Sequence, residues 1–200
     1  MTKIKMCGLS RFCDIEYANE VMPEFIGFVF AEKSKRYVSP EKASELRQKL
    51  DSRIIPVGVF VNAEPEFIAG LVKSKTIDII QIHGTEDSYY IENLRKLVDV
   101  PIIQAFRIEK PEDIQKAGNS PADYVLLDSG GGSGKTFDHS LIKNINRPYF
   151  LAGGLTPENV WEISEKLKPY AVDASSSLET DGFKDINKMR AFADALGRKD

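Results

Sequence analysis

Two side chains far apart in the sequence, Cys7 and Asp128, have the chemistry to move a proton between carbon and oxygen. A thiolate is a base and a protonated carboxyl is an acid, and a positioned pair of this kind serves enolisation. Taken singly, each has a plainer reading: Cys7 as a small buried hydrophobe, Asp128 as a cap for the turn that follows it. The pairing therefore needs a fold that carries residues 7 and 128 to one place. Gly153 and Gly154, with the hydroxyls of Ser175 and Ser176, suit a phosphate, because an anion can approach backbone N–H groups closely at glycine and at a helix start. Arg36, in the run Lys33-Ser34-Lys35-Arg36, is either a solvated loop charge or a fork for a carboxylate. His83 and Asp173 read as supporting groups.

The stretch "LDSGGGSGKT", Leu127 to Thr136, imitates a nucleotide-binding loop. The pattern G-x-x-x-x-G-K-[ST] puts its first glycine where this chain has Ser129, so the backbone cradle for a nucleotide is not specified. A net charge of −3 offers no field for nucleic acid. No apolar run reaches the ~20 residues of a membrane span, and "MTKIKMCGLS" is too short a run for a signal peptide. A soluble cytoplasmic protein is expected, with Cys7 and Cys13 as free thiols. No spacing suits a metal, and His83 and His139 lie far apart.

The elements that must position these residues are legible as eight apolar runs rich in Val, Ile and Phe. They start at Ile4, Phe25, Ile55, Asp78, Pro101, Ala122, Pro148 and Tyr170, with amphipathic stretches between them. Ser39-Pro40 and Thr156-Pro157 read as helix starts, and Ile186, Met189, Phe192 and Leu196 form one stripe. Alternation of strand and helix implies a parallel sheet. Eight units in 200 residues imply one domain over residues 1–200, an α/β single-domain (β/α)8 TIM barrel. The rival, an open doubly wound sheet, expects G-x-G-x-x-G after the first strand, where this chain has Cys7-Gly8-Leu9-Ser10. A barrel places its chemistry at the C-terminal strand ends: Cys7, the loop after Phe30, Asn62, His83, Arg107, Asp128, Gly153-Gly154, and Asp173 to Ser176.

Over nearly its whole length the sequence resembles the phosphoribosylanthranilate isomerase family of tryptophan biosynthesis. The resemblance rests on "KMCG" at Lys5, "GFVF" at Gly27 followed by "KSKRYVSP" at Lys33, "VGVFVN" at Val57 and "QIHG" at Gln81. It continues with "GGSGKTFD" at Gly131, "AGGLTPENV" at Ala152 and "VDASS" at Val172. The resemblance implies that Cys7 is the general base and Asp128 the general acid of an Amadori rearrangement. It implies that Arg36 binds the anthranilate carboxylate, and that Gly154, Ser175 and Ser176 cradle the phosphate of a small phosphorylated substrate. The Gly134-Lys135-Thr136 sequence then belongs to a mobile cover beside Asp128, and no cofactor or metal is needed. Because turnover needs Cys7 deprotonated and Asp128 protonated together, the site is expected to shift Cys7 down or Asp128 up.

Ser177 stands where the family usually has Gly, and "LETDGFKD" from Leu178 differs from the commoner "VE…PGKKD", both near the phosphate end. A related histidine-pathway isomerase remains an alternative, against which Cys7 argues, since that family has a pair of aspartates. A non-catalytic barrel that binds a phosphorylated ligand is the other. Oligomeric state is not legible, with a monomer the working expectation.

Overall fold

A computed structural model describes residues 2–128, 142 and 145–197. Each apolar run supplies one strand: β1 Lys3–Cys7, β2 Phe25–Val29, β3 Ile55–Phe60, β4 Ile79–Ile82, β5 Ile102–Arg107, β6 Tyr124–Asp128, β7 Tyr149–Ala152 and β8 Ala171–Ala174. Neighbours pair in parallel, and β8 pairs with β1 to close the barrel. Around it run α1 Phe12–Val21, α2 Pro40–Arg47, α3 Pro65–Lys73, α4 Ser88–Arg95, α5 Pro111–Gly118, α6 Val160–Leu167 and α7 Ile186–Asp194. The loop from Gly131 to Asp138, expected as a cover after β6, and His139 lie outside the described residues. Among those described, no helix is long and apolar enough to cross a membrane.

Helix α2 starts where its sequence says: the Ser39 hydroxyl accepts the Lys42 N–H at 3.2 Å, with Pro40 in the first turn. Helix α6 starts later than Thr156-Pro157 implies. The Asn159 side chain accepts the Thr156 N–H at 2.9 Å and donates to the Gly154 carbonyl at 2.9 Å. An amide that bonds both ways organises a turn here, and the helix proper begins after it. The same amide anchors Gly154.

Strand alternation sorts the side chains into two populations. Ile4, Met6, Ile26, Phe28, Ile80 and Ile82 belong to the layer between barrel and helices. Phe25, Val57, Ile79, Ile103, Leu126, Phe150 and Ala171 fill the barrel itself. Each such side chain stabilises the fold by about 1.5–3 kcal/mol on burial. At the N-terminal end the rings of Tyr124 and Tyr170 stack at 5.0 Å, with Phe25 and Phe150 tilted against Tyr170. Lys5 shares this interior and is fully buried; its register partner across the closing seam is Asp173, whose Oδ2 lies 2.9 Å from its Nζ.

After β8 comes a single 3-10 turn, Ser176–Leu178, in line with the short helix start read at the serines. A two-residue-stranded hairpin follows, β9 Glu179–Thr180 and β10 Phe183–Lys184, joined through Asp181 (φ 51°) and Gly182 (φ 82°). Positive φ at both central residues is the geometry an Asp-Gly pair favours, and it sets Lys184 directly opposite Glu179.

Replacing Lys5 by Met strands the Asp173 carboxylate in the barrel centre. The expected loss is about 3–5 kcal/mol of unfolding free energy, the usual consequence of breaking a buried ion pair from one side. Urea denaturation measures it. A loss under about 1 kcal/mol would show that Asp173 takes up a proton instead.

Candidate active site

The C-terminal mouth of the barrel encloses a cavity of about 620 Å³. Cys7, Arg36, His83, Asp128, Gly153, Gly154, Asp173, Ser175 and Ser176 all line it. Two strand ends from the sequence do not. Asn62 turns its side chain to accept the Thr85 N–H at 2.9 Å, and Arg107 extends into solvent against Glu109 at 2.8 Å.

Glycines make room for the functional side chains. Gly27 is the register partner of Cys7, and a Cβ there would stand 2.6 Å from the Cys7 sulfur. Gly8 has φ +84°, and a Cβ on it would run into the Arg36 side chain. Any other residue at either position would displace the group beside it.

Burial pushes the Cys7 thiol up, with the Lys5 ammonium opposing, Asp173 adding to the rise and Lys184 opposing. Of the two shifts expected, Cys7 down or Asp128 up, the first is not what this site produces: loss of hydration outweighs the two cations. Burial also works against charge on Lys5, but Asp173 and then Cys7 outweigh it and hold the ammonium above its ordinary value. Asp128, at the end of β6, lies with its Oδ2 3.7 Å from His83 Nε2. Gln81 donates its Nε2–H to His83 Nδ1 at 3.1 Å, which puts a neutral ring's proton on Nε2, facing Asp128. The ring thus lies between Gln81 and Asp128.

At the glycine end, Gly153 and Gly154 take φ +93° and +63°, and a Cβ on Gly154 would meet nothing. Glycine is required there by backbone conformation alone. The Ser175 hydroxyl is differently employed from the sequence reading: it donates to the Cys7 carbonyl at 2.9 Å. What that strand end offers an anion is the exposed Ser176 hydroxyl and the amides at the start of the 3-10 turn.

Arg36 is neither solvated nor idle. Its Nε donates to Glu179 Oε1 at 2.5 Å and its Nη2 to Oε2 at 2.8 Å. Lys184 Nζ donates to the same Oε1 at 2.6 Å and to the Ser175 carbonyl at 3.0 Å. Sequence reasoning missed Lys5, Glu179 and Lys184. Lys5 was signalled by its place two residues before Cys7 on an inward-facing strand. The other two were signalled by the Asp181-Gly182 turn, which sets positions 179 and 184 opposite each other.

The family model of N-(5'phosphoribosyl)anthranilate (PRA) isomerase matches residues 4–195. The N-(5'-phosphoribosyl)anthranilate isomerase of Endomicrobium trichonymphae is 44% identical over 194 residues, 94% of this chain and 95% of that protein. That of Clostridium acetobutylicum is 42% identical over 201 residues, 96% of each. Among solved structures, phosphoribosyl anthranilate isomerase from Thermotoga maritima superposes with a TM-score of 0.89 at 36% identity, covering 98% of this chain and 99% of that one. A structure of such an isomerase in complex with reduced 1-(o-carboxyphenylamino)-1-deoxyribulose 5-phosphate gives 0.88 at 34% identity with the same coverage.

The Cys7 environment predicts slow alkylation near neutrality. With Cys13 followed separately by peptide mass, the iodoacetamide rate at Cys7 should rise through a midpoint above the ordinary thiol value of about 8.5. A midpoint below that value would mean that the two lysines outweigh burial.

Proposed function

The chain belongs to the N-(5'-phosphoribosyl)anthranilate isomerase family, and from that premise we propose a role for each group around the cavity. The reaction is the Amadori rearrangement of N-(5'-phosphoribosyl)anthranilate to 1-(2-carboxyphenylamino)-1-deoxyribulose 5-phosphate, a step of tryptophan biosynthesis. In our reading Asp128 gives its proton to the ribose ring oxygen as the C1–O bond breaks. The anilino nitrogen supplies the electron pair and becomes an iminium. Cys7, as thiolate, then takes the proton from C2, and the C–H electrons flow to nitrogen to give the enolamine. Loss of the enol O–H proton and protonation at C1 give the ketone, so substrate and product are isomers.

The observation that carries this reading is that Cys7 and Asp128 open onto one cavity. A barrel that only bound a phosphorylated ligand would have no use for an acid and a base placed together. Cys7, in place of an aspartate, argues equally against the histidine-pathway alternative. A thiol whose pKa is raised by burial is a minority thiolate but a stronger base once ionised. The cationic iminium that forms beside it supplies the charge that favours ionisation at that moment.

Around this pair, Arg36 takes the anthranilate carboxylate, and Gly153, Gly154 and Ser176 take the phosphate of the small-molecule substrate, with Ser175 supporting that strand end through its hydroxyl bond to the Cys7 carbonyl. His83 orients Asp128, and Asp173 acts through Lys5, whose ammonium opposes the rise in the Cys7 pKa. The chemistry draws on the substrate's own nitrogen as electron sink, so this reading assigns no metal or cofactor. One closed barrel that draws its strands from Lys3 through Ala174 supports one domain over residues 1–200. Use of Cys7 as a free thiol supports a reducing, cytoplasmic setting.

Cys7→Ser removes a base that ionises usefully, and Asp128→Asn removes the transferable proton while nearly keeping shape. Each should lower single-turnover conversion by roughly 10²–10⁴-fold, the usual worth of positioned acid–base catalysis. Loss of anthranilate-type fluorescence follows the reaction. Wild-type turnover in both variants would place the chemistry on other residues. Inorganic phosphate should compete with substrate in the wild type; purely noncompetitive inhibition would move the phosphate site away from Gly154 and Ser176.

A further inference from the structure

Arg36 is held by another residue of the chain, and the way it is held selects which of its edges faces a ligand. A guanidinium carries five N–H donors. Glu179 takes the side edge, through Nε and Nη2, at 2.5 and 2.8 Å. The Nη1 donors and the second Nη2 donor make up the terminal edge, a fork of the same bidentate geometry. Arg36 lines the cavity while Glu179 lies behind it, 5% exposed.

Glu179 alone would cancel the charge that attracts an anion. Lys184, with 1% of its side chain exposed, stands 2.6 Å from Oε1 of the same carboxylate, and Lys35 reaches within 3.9 Å from the rim. Burial lowers the Lys184 pKa, and its hydrogen bond to Glu179 works against that fall, so Arg36, Lys184 and Lys35 outnumber the one carboxylate they surround. Burial raises the Glu179 pKa, but the hydrogen bonds from Arg36 and Lys184 outweigh it and hold the group below the usual carboxylate range. The brace is therefore charged at neutral pH.

We propose that the β9–β10 hairpin sets specificity for the acid end of the substrate: Glu179 fixes Arg36 with its terminal fork toward the cavity, and Lys184 preserves the positive charge that Glu179 would otherwise cancel. The proposal rests on the reading of Arg36 as the carboxylate ligand. Glu179 and Lys184 are positioning residues, since Glu179 touches Arg36, Lys184 touches Glu179, and neither lines the cavity. A long side chain fixed before binding has less rotamer freedom to lose when the ligand arrives, so the brace strengthens recognition without adding a contact. The glycine at position 8 serves the same arrangement, because it lets the stem of Arg36 cross the end of β1.

Two ligands separate this from a merely structural hairpin: reduced 1-(o-carboxyphenylamino)-1-deoxyribulose 5-phosphate, and its counterpart made from aniline, which lacks the carboxylate. Calorimetry gives the ratio of their affinities. In the wild type the acid should bind roughly 10- to 100-fold more tightly, the worth of one charged hydrogen-bonded contact. Glu179→Gln should lower that ratio roughly 5- to 20-fold, through weaker binding of the acid alone, with KM rising more than kcat falls. Arg36→Met should abolish the ratio. If Arg36→Met abolishes it while Glu179→Gln leaves it intact, the hairpin is structural and the proposal fails although the carboxylate reading stands. If Arg36→Met leaves it intact, the carboxylate reading fails and the proposal with it. Should Glu179→Gln not fold, the pair Glu179→Gln with Lys184→Met removes both buried charges together and is judged by the same ratio.

Discussion

The barrel closes between its first and last strands, and among apolar register pairs at that seam one is an ion pair. Lys5 and Asp173 are register partners, and their charges meet at 2.9 Å inside the barrel. A lone ammonium there would be prohibitive, so the register of β1 on β8 is tied to the survival of both charges. A slip of one residue would turn Lys5 into the helix layer and Ile4 into the polar mouth. Cys7, two residues on from Lys5, and Ser175, two residues on from Asp173, inherit their positions from this pairing.

Much of what surrounds the seam consists of space left open for one side chain by the absence of another. Gly27 is small because the Cys7 sulfur occupies the place of its Cβ, and Gly8 is small because Arg36 passes over it. These are steric requirements of the neighbouring side chains, written into β2 and the turn after β1 where the pleated backbone alone would favour larger residues. The cavity is thus shaped by neighbours of the reactive groups as much as by the groups themselves.

The strands were legible because parallel strands buried on both faces read as short unbroken apolar runs. Each of the eight appears within a residue or two of its run. The cavity residues were legible because barrel chemistry gathers at C-terminal strand ends, and a polar or small residue after such a run is conspicuous. What escaped has physical reasons. Thr156 looked like a cap, but Asn159 could satisfy two backbone groups and shifted the helix start. The Cys7 pKa depends on a balance between dehydration and nearby lysines that spacing does not disclose. Glu179 and Lys184 looked like ordinary charges in a variable segment, because only a hairpin two residues long on each side makes them neighbours. Arg107 and Asn62 show the converse: a strand end is a place at the mouth, not an assurance that the side chain turns inward.

The Ser175 hydroxyl, hydrogen-bonded to the Cys7 carbonyl, joins the two ends of the cavity mechanically. Lys184 grips the Ser175 carbonyl from the other side, so the strand end proposed for the phosphate is in series with the backbone that carries the sulfur. In the proposed roles, a ligand that settles the loop after β8 also settles the aim of Cys7 at the sugar carbon. Binding at an unreactive group is thereby converted into alignment at the reactive one, the general route by which remote contacts raise a rate and not merely an affinity. A substrate stripped of its phosphate would meet the same thiol, but without that added contact to settle the strand end.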